Sequence, residues 1–449
     1  MFNSLLRVNE HLQMLTKVAR ALKIVAAAPW CCRKRRVERT KSSLALSFVV
    51  LLLSVSLAQA QSVKYYIPIY GQSLSTGDES LPVIDSEPAY PATAFMWNLG
   101  VRLVTPSSSV VLDPSLLIGL VPLHELQQDG FHGETIASGM ANRLNQYQPF
   151  PVVVSSHGAD GEPYEALQRG TIPYNNLLTA IRAAVEQANE QGLTIIVPAV
   201  AYIQGEADFE LGTSLEQFAD DLRNLQTDLN VDITAITNQL QPVLLLTDQM
   251  GSYTSSGYGA QARATSTIPL SELLESQINP NVLLVGPKYM LDYVADGIHL
   301  TGRSEATLGN YYGKSIEARI VRKQEWKPLM PSRVVRIVGK QIILTFDRAI
   351  TIDTTLVSNP GNFGFVYQDS RSNTRISKVT VKKNTLRIVL NHKPSSGAVL
   401  SYAWQGPVGS NAGRLTGPRG NIRDLDDTPS SLGDHFLYDW MPTFSMNLN

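Results

Sequence analysis

Cysteine is almost missing from this chain: its 449 residues include two, the adjacent Cys31 and Cys32. Beyond them no disulfide, thiol nucleophile or cysteine metal site can be built, so stability has to come from buried core. Apolar runs long enough to span a bilayer are lacking as well. The run at residues 44–58 falls short of the roughly 20 residues a spanning helix needs. It follows the basic cluster Arg33-Lys34-Arg35-Arg36 and ends in Ala58-Gln59-Ala60, a small-x-small pattern. That is the signature of a signal peptide with a long basic leader, residues 1–60, cleaved near Ala60. A retained signal anchor is the alternative, and Met14 is a second candidate start. The expectation is a secreted or periplasmic protein with no membrane span in the mature chain.

An excess of basic charge is also absent. The whole chain carries 38 Lys and Arg against 39 Asp and Glu. Residues 1–60 hold ten of the basic and two of the acidic side chains, which leaves 28 basic and 37 acidic residues, net −9. A mature chain of that sign is a poor partner for nucleic acid or an anionic membrane surface.

From residue 61 to about 326, short apolar runs alternate with amphipathic stretches. Strands are expected at Val63–Tyr70, Pro151–Ser156, Leu193–Tyr202, Pro242–Thr247 and Val282–Val285. Helices are expected over Glu134–Leu144, Tyr174–Gln191, around Phe218–Leu229 and over Ala306–Val321. Five such strands read as a parallel sheet covered by helices on both faces, an α/β three-layer domain with its chemistry at the carboxyl ends of the strands. Residues 81–130, rich in Pro and Ser, read as a long excursion that walls a cleft. After Lys327-Pro328 the texture changes to alternating strands with Gly- and Asn-containing turns, which predicts a small all-β sandwich over 327–410. Residues 411–449 read as a loop-rich tail whose terminal aromatics dock on the body of the protein. Tyr367, Tyr402 and Trp404 fit either the sandwich core or an exposed sugar platform.

The chemistry-bearing residues follow the strands. Asp296-Gly297-Ile298-His299 sets a carboxylate three residues before an imidazole, where it can fix the ring tautomer and leave the other nitrogen to accept a proton. A serine hydroxyl needs such a base, and Ser73, in the turn Gly71-Gln72-Ser73-Leu74 at the end of the first strand, is the candidate nucleophile. His157 with Asp160 is a second histidine–acid pair, read either as an alternative base or as a hydrogen-bonded loop histidine. His132 and Glu134 read as cleft-lining residues or helix caps. No spacing among His124, His132, His157 and Asp160 matches a metal motif, so no metal and no cofactor are expected.

Gly71-Gln72-Ser73, a glycine-containing block at Gly158–Leu167, Gln204-Gly205-Glu206-Ala207-Asp208 and Asp296-x-x-His299 resemble, in that order, the blocks of the SGNH-hydrolase superfamily. They are most similar to its sialate O-acetylesterase and carbohydrate esterase family 6 branch. The resemblance spans about residues 64–320. It implies a flavodoxin-like sheet, followed here by an Ig-like sandwich, and a serine esterase acting on O-acetyl esters of carbohydrates. In that scheme Ser73, His299 and Asp296 form the triad. The oxyanion is held by the Ser73 and Gly158 backbone N–H groups and the Gln204 side chain, with Gly161 as the alternative glycine. Gln72, Glu206 and Asp208 brace the site or touch substrate, with capping of a helix near Ser214 as the alternative for Glu206 and Asp208. Leu74 departs from the branch, which carries Asn there. A general short-chain carboxylesterase and a catalytically inactive glycan-binding surface protein are the competing readings.

Overall fold

Strand β1 (Val63–Gly71) alternates its side chains between two cores. Tyr66 and Tyr70 face one, Ile67 and Ile69 the other. This is the period-2 pattern of a strand buried on both faces. The computed structural model describes residues 63–332 and 335–448; the leader and its expected cleavage point lie outside the described residues.

In chain order the elements after β1 are α1 (Ser73–Thr76), β2 (Ala94–Trp97), β3 (Leu120–Pro122), α2 (Ile136–Asn145), β4 (Val152–Ser156), α3 (Tyr164–Leu167) and α4 (Ile172–Glu190). There follow β5 (Thr194–Ile196), β6 (Ala199–Ile203), α5 (Glu206–Leu211), α6 (Leu215–Thr237), β7 (Leu244–Gln249), α7 (Ile268–Ile278), β8 (Val282–Pro287) and α8 (Gly302–Ile316). The sheet runs β3-β2-β4-β1-β6-β7-β8, with β5 paired to β1. The five expected strands thus lie in the order second-first-third-fourth-fifth, the flavodoxin-like arrangement whose crevice opens where the order reverses.

Two differences from the sequence reading have plain causes. The excursion at 81–130 contains β2, parallel to β4, and β3, antiparallel to β2, and with the division of the third strand these bring the sheet to eight strands. Both are too short, at four and three residues, to show alternation. The expected third strand is broken into β5 and β6 at Val197 and Pro198, since proline has no N–H for the ladder.

Helices α4 and α6 cover one face of the sheet. They bury Leu177, Ile181, Phe218, Leu222, Leu225 and Leu229 against Tyr66, Val153, Val200 and Leu245. The other face is covered by α2 and α8, which bury Ile136, Met140, Leu308 and Tyr312 against Ile67, Val154, Ala201 and Leu246. Each such side chain contributes roughly 1.5–3 kcal/mol through the water it leaves. Helices α2 and α8 approach backbone to backbone: a Cβ on Gly139 would lie 2.1 Å from the Ala306 carbonyl oxygen, and one on Gly309 2.4 Å from that of Ile136. Because α8 starts just past His299, this seam fixes where the histidine loop ends.

The remaining strands are β9 (Arg336–Val338), β10 (Gln341–Thr345), β11 (Ile350–Ile352), β12 (Phe365–Gln368), β13 (Ile376–Lys382), β14 (Thr385–Leu390), β15 (Val399–Tyr402), β16 (Ile422–Asp424) and β17 (Phe444–Asn447). They form three antiparallel sheets, β13-β14-β10-β9, β11-β16 and β12-β15-β17. Tyr367 and Tyr402 are core residues here, not a platform, and Trp404 donates its indole N–H to the Ser266 carbonyl at 2.6 Å. The segment read as a loop-rich tail supplies β16 and β17. It also reaches the α/β layers: Leu437 sits in their second core, and Gln249 exchanges hydrogen bonds with the Thr443 backbone at 2.8 and 3.0 Å. Leu273, Leu284 and Tyr289 share a core with Leu344, Leu400 and Trp440, so the change of texture near residue 327 is not a gap. Residues 61–449 form one compact unit.

Candidate active site

Strand β1 ends at Gly71, where a Cβ would collide with the Ile203 carbonyl oxygen at 2.0 Å and φ is +131°. The chain then turns into α1, whose first residue is Ser73 and whose end is set by the left-handed Gly77. The turn is pinned from inside. Ser75 Oγ donates to the Gln72 carbonyl at 2.6 Å, and Thr76 Oγ1 donates to that of Ser73 at 2.7 Å. Leu74, where the related branch carries Asn, is fully buried in the sheet core.

Ser73 Oγ lies 2.8 Å from His299 Nε2, across 226 residues of sequence. The opposite ring nitrogen, Nδ1, lies 2.6 Å from Asp296 Oδ2. The other Asp296 oxygen accepts from the backbone N–H groups of Ile298 and His299 at 2.8 and 3.1 Å, so the loop folds around its own carboxylate. Burial works to raise the Asp296 pKa, but these hydrogen bonds, with the histidine first among them, hold it below its ordinary value. Burial also pulls the His299 pKa down; Asp296 and then Asp78 outweigh it, and the net shift is upward.

The two candidate glycines are not equivalent. Gly158 is buried, and a Cβ there would sit 2.1 Å from Ser75 Oγ and 2.9 Å from the Gly71 carbonyl oxygen. Gly161 is exposed, with φ +69° and open space around it. Among the described residues, neither the backbone N–H of Ser73 nor that of Gly158 has a protein acceptor.

Gln204 departs from the expected arrangement. Its Nε2 donates to the Glu162 carbonyl at 2.9 Å and to Asp208 Oδ2 at 2.7 Å, so both amide hydrogens are committed and neither is left for an oxyanion. Reversing the amide would set its oxygen against the Glu162 carbonyl. Asp208 also accepts the Tyr164 N–H at 3.1 Å. Gln72 donates to Glu206 Oε2 at 3.0 Å and accepts from the Ala207 N–H at 2.9 Å, joining the serine turn to the start of α5. Behind Glu206 stands Lys288, fully buried, with Glu206 at 3.1 Å and Asp248 at 2.9 Å. Capping of α6 falls instead to Ser214, whose hydroxyl accepts from the Gln217 N–H. Glu206 therefore braces the serine turn, and Asp208 holds Gln204 and the start of α3.

Of the other polar residues, His157 is buried against Ser155 Oγ at 2.8 Å, and burial alone pulls its pKa to about 3. Asp160 pairs not with His157 but with His132 Nε2, at 2.8 Å, while Asp129 holds His132 Nδ1 at 2.9 Å. The Asp160 hydrogen bond, seconded by Asp129, raises the His132 pKa to about 9. The sequence reading missed Asp78. Its carboxylate stands 3.7 Å from His299 Nε2 and 3.8 Å from His132 Nε2, and only its closeness to Gly77 could have drawn attention to it. Asp78, His132 and Asp160 converge closely enough to hold a cation, but His132 Nε2 already serves Asp160.

No curated protein matches this chain in sequence. In structure it is similar to a carbohydrate acetylesterase from Xanthomonas citri: TM-score 0.56, 12% identity, 85% of this chain and 80% of that one covered. That likeness establishes the fold. It is also similar to NanS (TM-score 0.41, 14% identity, 59% and 99% covered) and to a carbohydrate acetylesterase from Sinorhizobium meliloti (0.31, 14%, 57% and 99%). Residues 122–318, which include Gly158, Gln204, Asp296 and His299 but not Ser73, match the family model described as carbohydrate esterase, sialic acid-specific acetylesterase. Over that segment the chain is similar to the carbohydrate esterase family of sialic acid-specific acetylesterases.

Proposed function

We propose that the protein is an exported serine esterase that removes acetyl groups from the hydroxyls of carbohydrates. The observation that carries this is the unbroken relay from Ser73 Oγ through both nitrogens of His299 to Asp296, with links of 2.8 and 2.6 Å. Neutral His299 takes the Ser73 proton at Nε2 as the oxygen attacks the acetyl carbonyl. The Asp296 carboxylate, kept ionised by its hydrogen bonds, stabilises the imidazolium that forms. Negative charge on the carbonyl oxygen meets the N–H groups of Ser73 and Gly158, which have no acceptor among the described residues. Gln204, with both hydrogens engaged, acts by holding the Glu162 carbonyl and Asp208 in place rather than as a third donor. His299 then returns its proton to the departing sugar oxygen. Water, deprotonated by the same nitrogen, releases acetate from Ser73.

Export by cleavage near Ala60 is part of the proposal, and N-terminal sequencing of the protein recovered outside the cytoplasm tests it. Catalysis is tested with acetylated xylan, O-acetyl sialic acid and aryl acetates, together with labelling by a serine-reactive phosphonate. Ser73→Ala should lower kcat on the order of 10⁴–10⁶-fold and abolish labelling. Labelling at another serine, or a folded Ser73→Ala enzyme of ordinary activity, would overturn the assignment. Hydrolysis of long-chain esters in preference to acetates would replace it with a general acyl hydrolase.

A further inference from the structure

A chain of charged groups linked through His132, Asp78 and His299 comes from four segments beside Ser73. Asp78 follows α1, Asp129 and His132 belong to the loop before α2, Asp160 to the loop after β4, and Asp296 to the histidine loop itself. Four are carboxylates, and the cation among them is spent: His132 commits one ring N–H to Asp129 and the other to Asp160. Arg102, buried behind them, is spent too. It donates to the carbonyls of Thr76, Gly133 and Leu126 and to the Gln128 side chain. Neither cation retains the paired N–H groups that grip a carboxylate. Asp78 is the opposite case. Its side chain is 22% exposed, no side chain among the described residues donates to it within hydrogen-bond distance, and the two imidazoles stand at 3.7 and 3.8 Å. It is an open acceptor beside the hydroxyl that attacks.

Resting on the esterase reading above, we propose that Asp78 is a substrate-binding residue that accepts a sugar hydroxyl next to the scissile acetyl group, and that this acidic rim biases the enzyme toward acetyl esters of uncharged sugars. The sugar it would take is polyhydroxylated and neutral. A sialate, with its own carboxylate, would meet like charge, with the Arg102 guanidinium already engaged elsewhere. Like charges about 8 Å apart near a protein surface repel enough to cost roughly tenfold in kcat/KM.

The test compares 4-nitrophenyl acetate, a mono-O-acetylated methyl xyloside and O-acetyl sialic acid, with wild type, Asp78→Asn and Asp78→Ala. Wild type should favour the xyloside ester over the sialate by about tenfold in kcat/KM, and Asp78→Asn should narrow that gap several-fold. Asp78→Ala should raise KM for the xyloside ester, so that the ratio of xyloside to aryl acetate kcat/KM falls by about fivefold or more. Sialate hydrolysed as well as xyloside by wild type, or ratios that do not move in either variant, would overturn the proposal while leaving the esterase intact. Failure of wild type on 4-nitrophenyl acetate and on both sugar esters would sink the esterase reading, and this one with it.

Discussion

Substituting alanine for Gly158 displaces the loop that carries one of the two free N–H groups beside Ser73. The new methyl carbon would lie 2.1 Å from Ser75 Oγ, 2.7 Å from Thr76 Cγ2 and 2.9 Å from the Gly71 carbonyl oxygen, where ordinary contact begins at 3.4 Å. None of these neighbours yields readily. Ser75 is tied to the Gln72 carbonyl, Thr76 to the Ser73 carbonyl and Asp160, and Gly71 is backbone. The loop carrying residue 158 therefore has to retreat by about 1 Å, a displacement that costs on the order of 10²-fold when it falls on a catalytic group. A lost oxyanion donor costs about 10²–10³-fold in kcat, or roughly 3–4 kcal/mol of transition-state stabilisation, while overpacking costs about 1–3 kcal/mol of stability. Gly161→Ala is the matched control. It meets no neighbour, and its left-handed backbone makes the cost roughly 1 kcal/mol of stability with kcat close to wild type. Removing the nearest obstacle in Gly158→Ala/Ser75→Gly should restore part of the loss. The assay is kcat on 4-nitrophenyl acetate alongside Tm. A folded Gly158→Ala enzyme with wild-type kcat, or a hundredfold loss in Gly161→Ala, would refute the reasoning.

Other expectations follow from charge. In the proposed relay the base works as neutral imidazole, and the His299 pKa is raised above 6.5, so kcat/KM should fall as pH drops through a midpoint above 6.5. Asp78→Asn should move that midpoint down, and a wild-type midpoint at or below 6.5 would contradict the geometry. His132, at about 9 when folded against 6.5 when free, contributes stability that is complete below pH 6.5 and lost as pH rises through about 9. The contribution is at most about 3 kcal/mol, visible in denaturant titrations from pH 6 to 9.5 as a decline that His132→Gln abolishes. His157→Gln should keep kcat within about threefold, because a buried neutral ring bonded to Ser155 has no part in a relay. A large kcat loss in a stable His157→Gln enzyme would restore it as a candidate base.

The sequence made the α/β half readable because its central strands are short, largely apolar runs, and four of the five lead into a motif. Val152–Ser156 and Leu244–Gln249 have every residue buried, and such runs admit few interpretations. What stayed hidden depends on partners distant in the chain. Strands β2, β3, β16 and β17, of three or four residues, exist because another strand offers them a ladder. Ser73, Asp296 and His299 could be picked out because their chemistry is rare in combination. The commitment of the Gln204 amide to Glu162 and Asp208 left no trace in residue order, nor did the position of Asp78 between two imidazoles. Motif spacing shows which residues can react. Only packing shows which of their hydrogens are still unspent.

The stitching of residues 437–447 into both halves bears on how the protein is made. Leu437 fills the sheet core beneath α8, the Lys314 ammonium grips the Leu437 carbonyl and Asp439, and Thr443 is clasped by Gln249 at the end of β7. A ribosome will have delivered the serine, the acid and the histidine long before these closing pieces emerge. Until they do, one side of β7 and the outer end of α8 lack their cover, so the nascent hydrolase must wait, incomplete and in need of protection from aggregation.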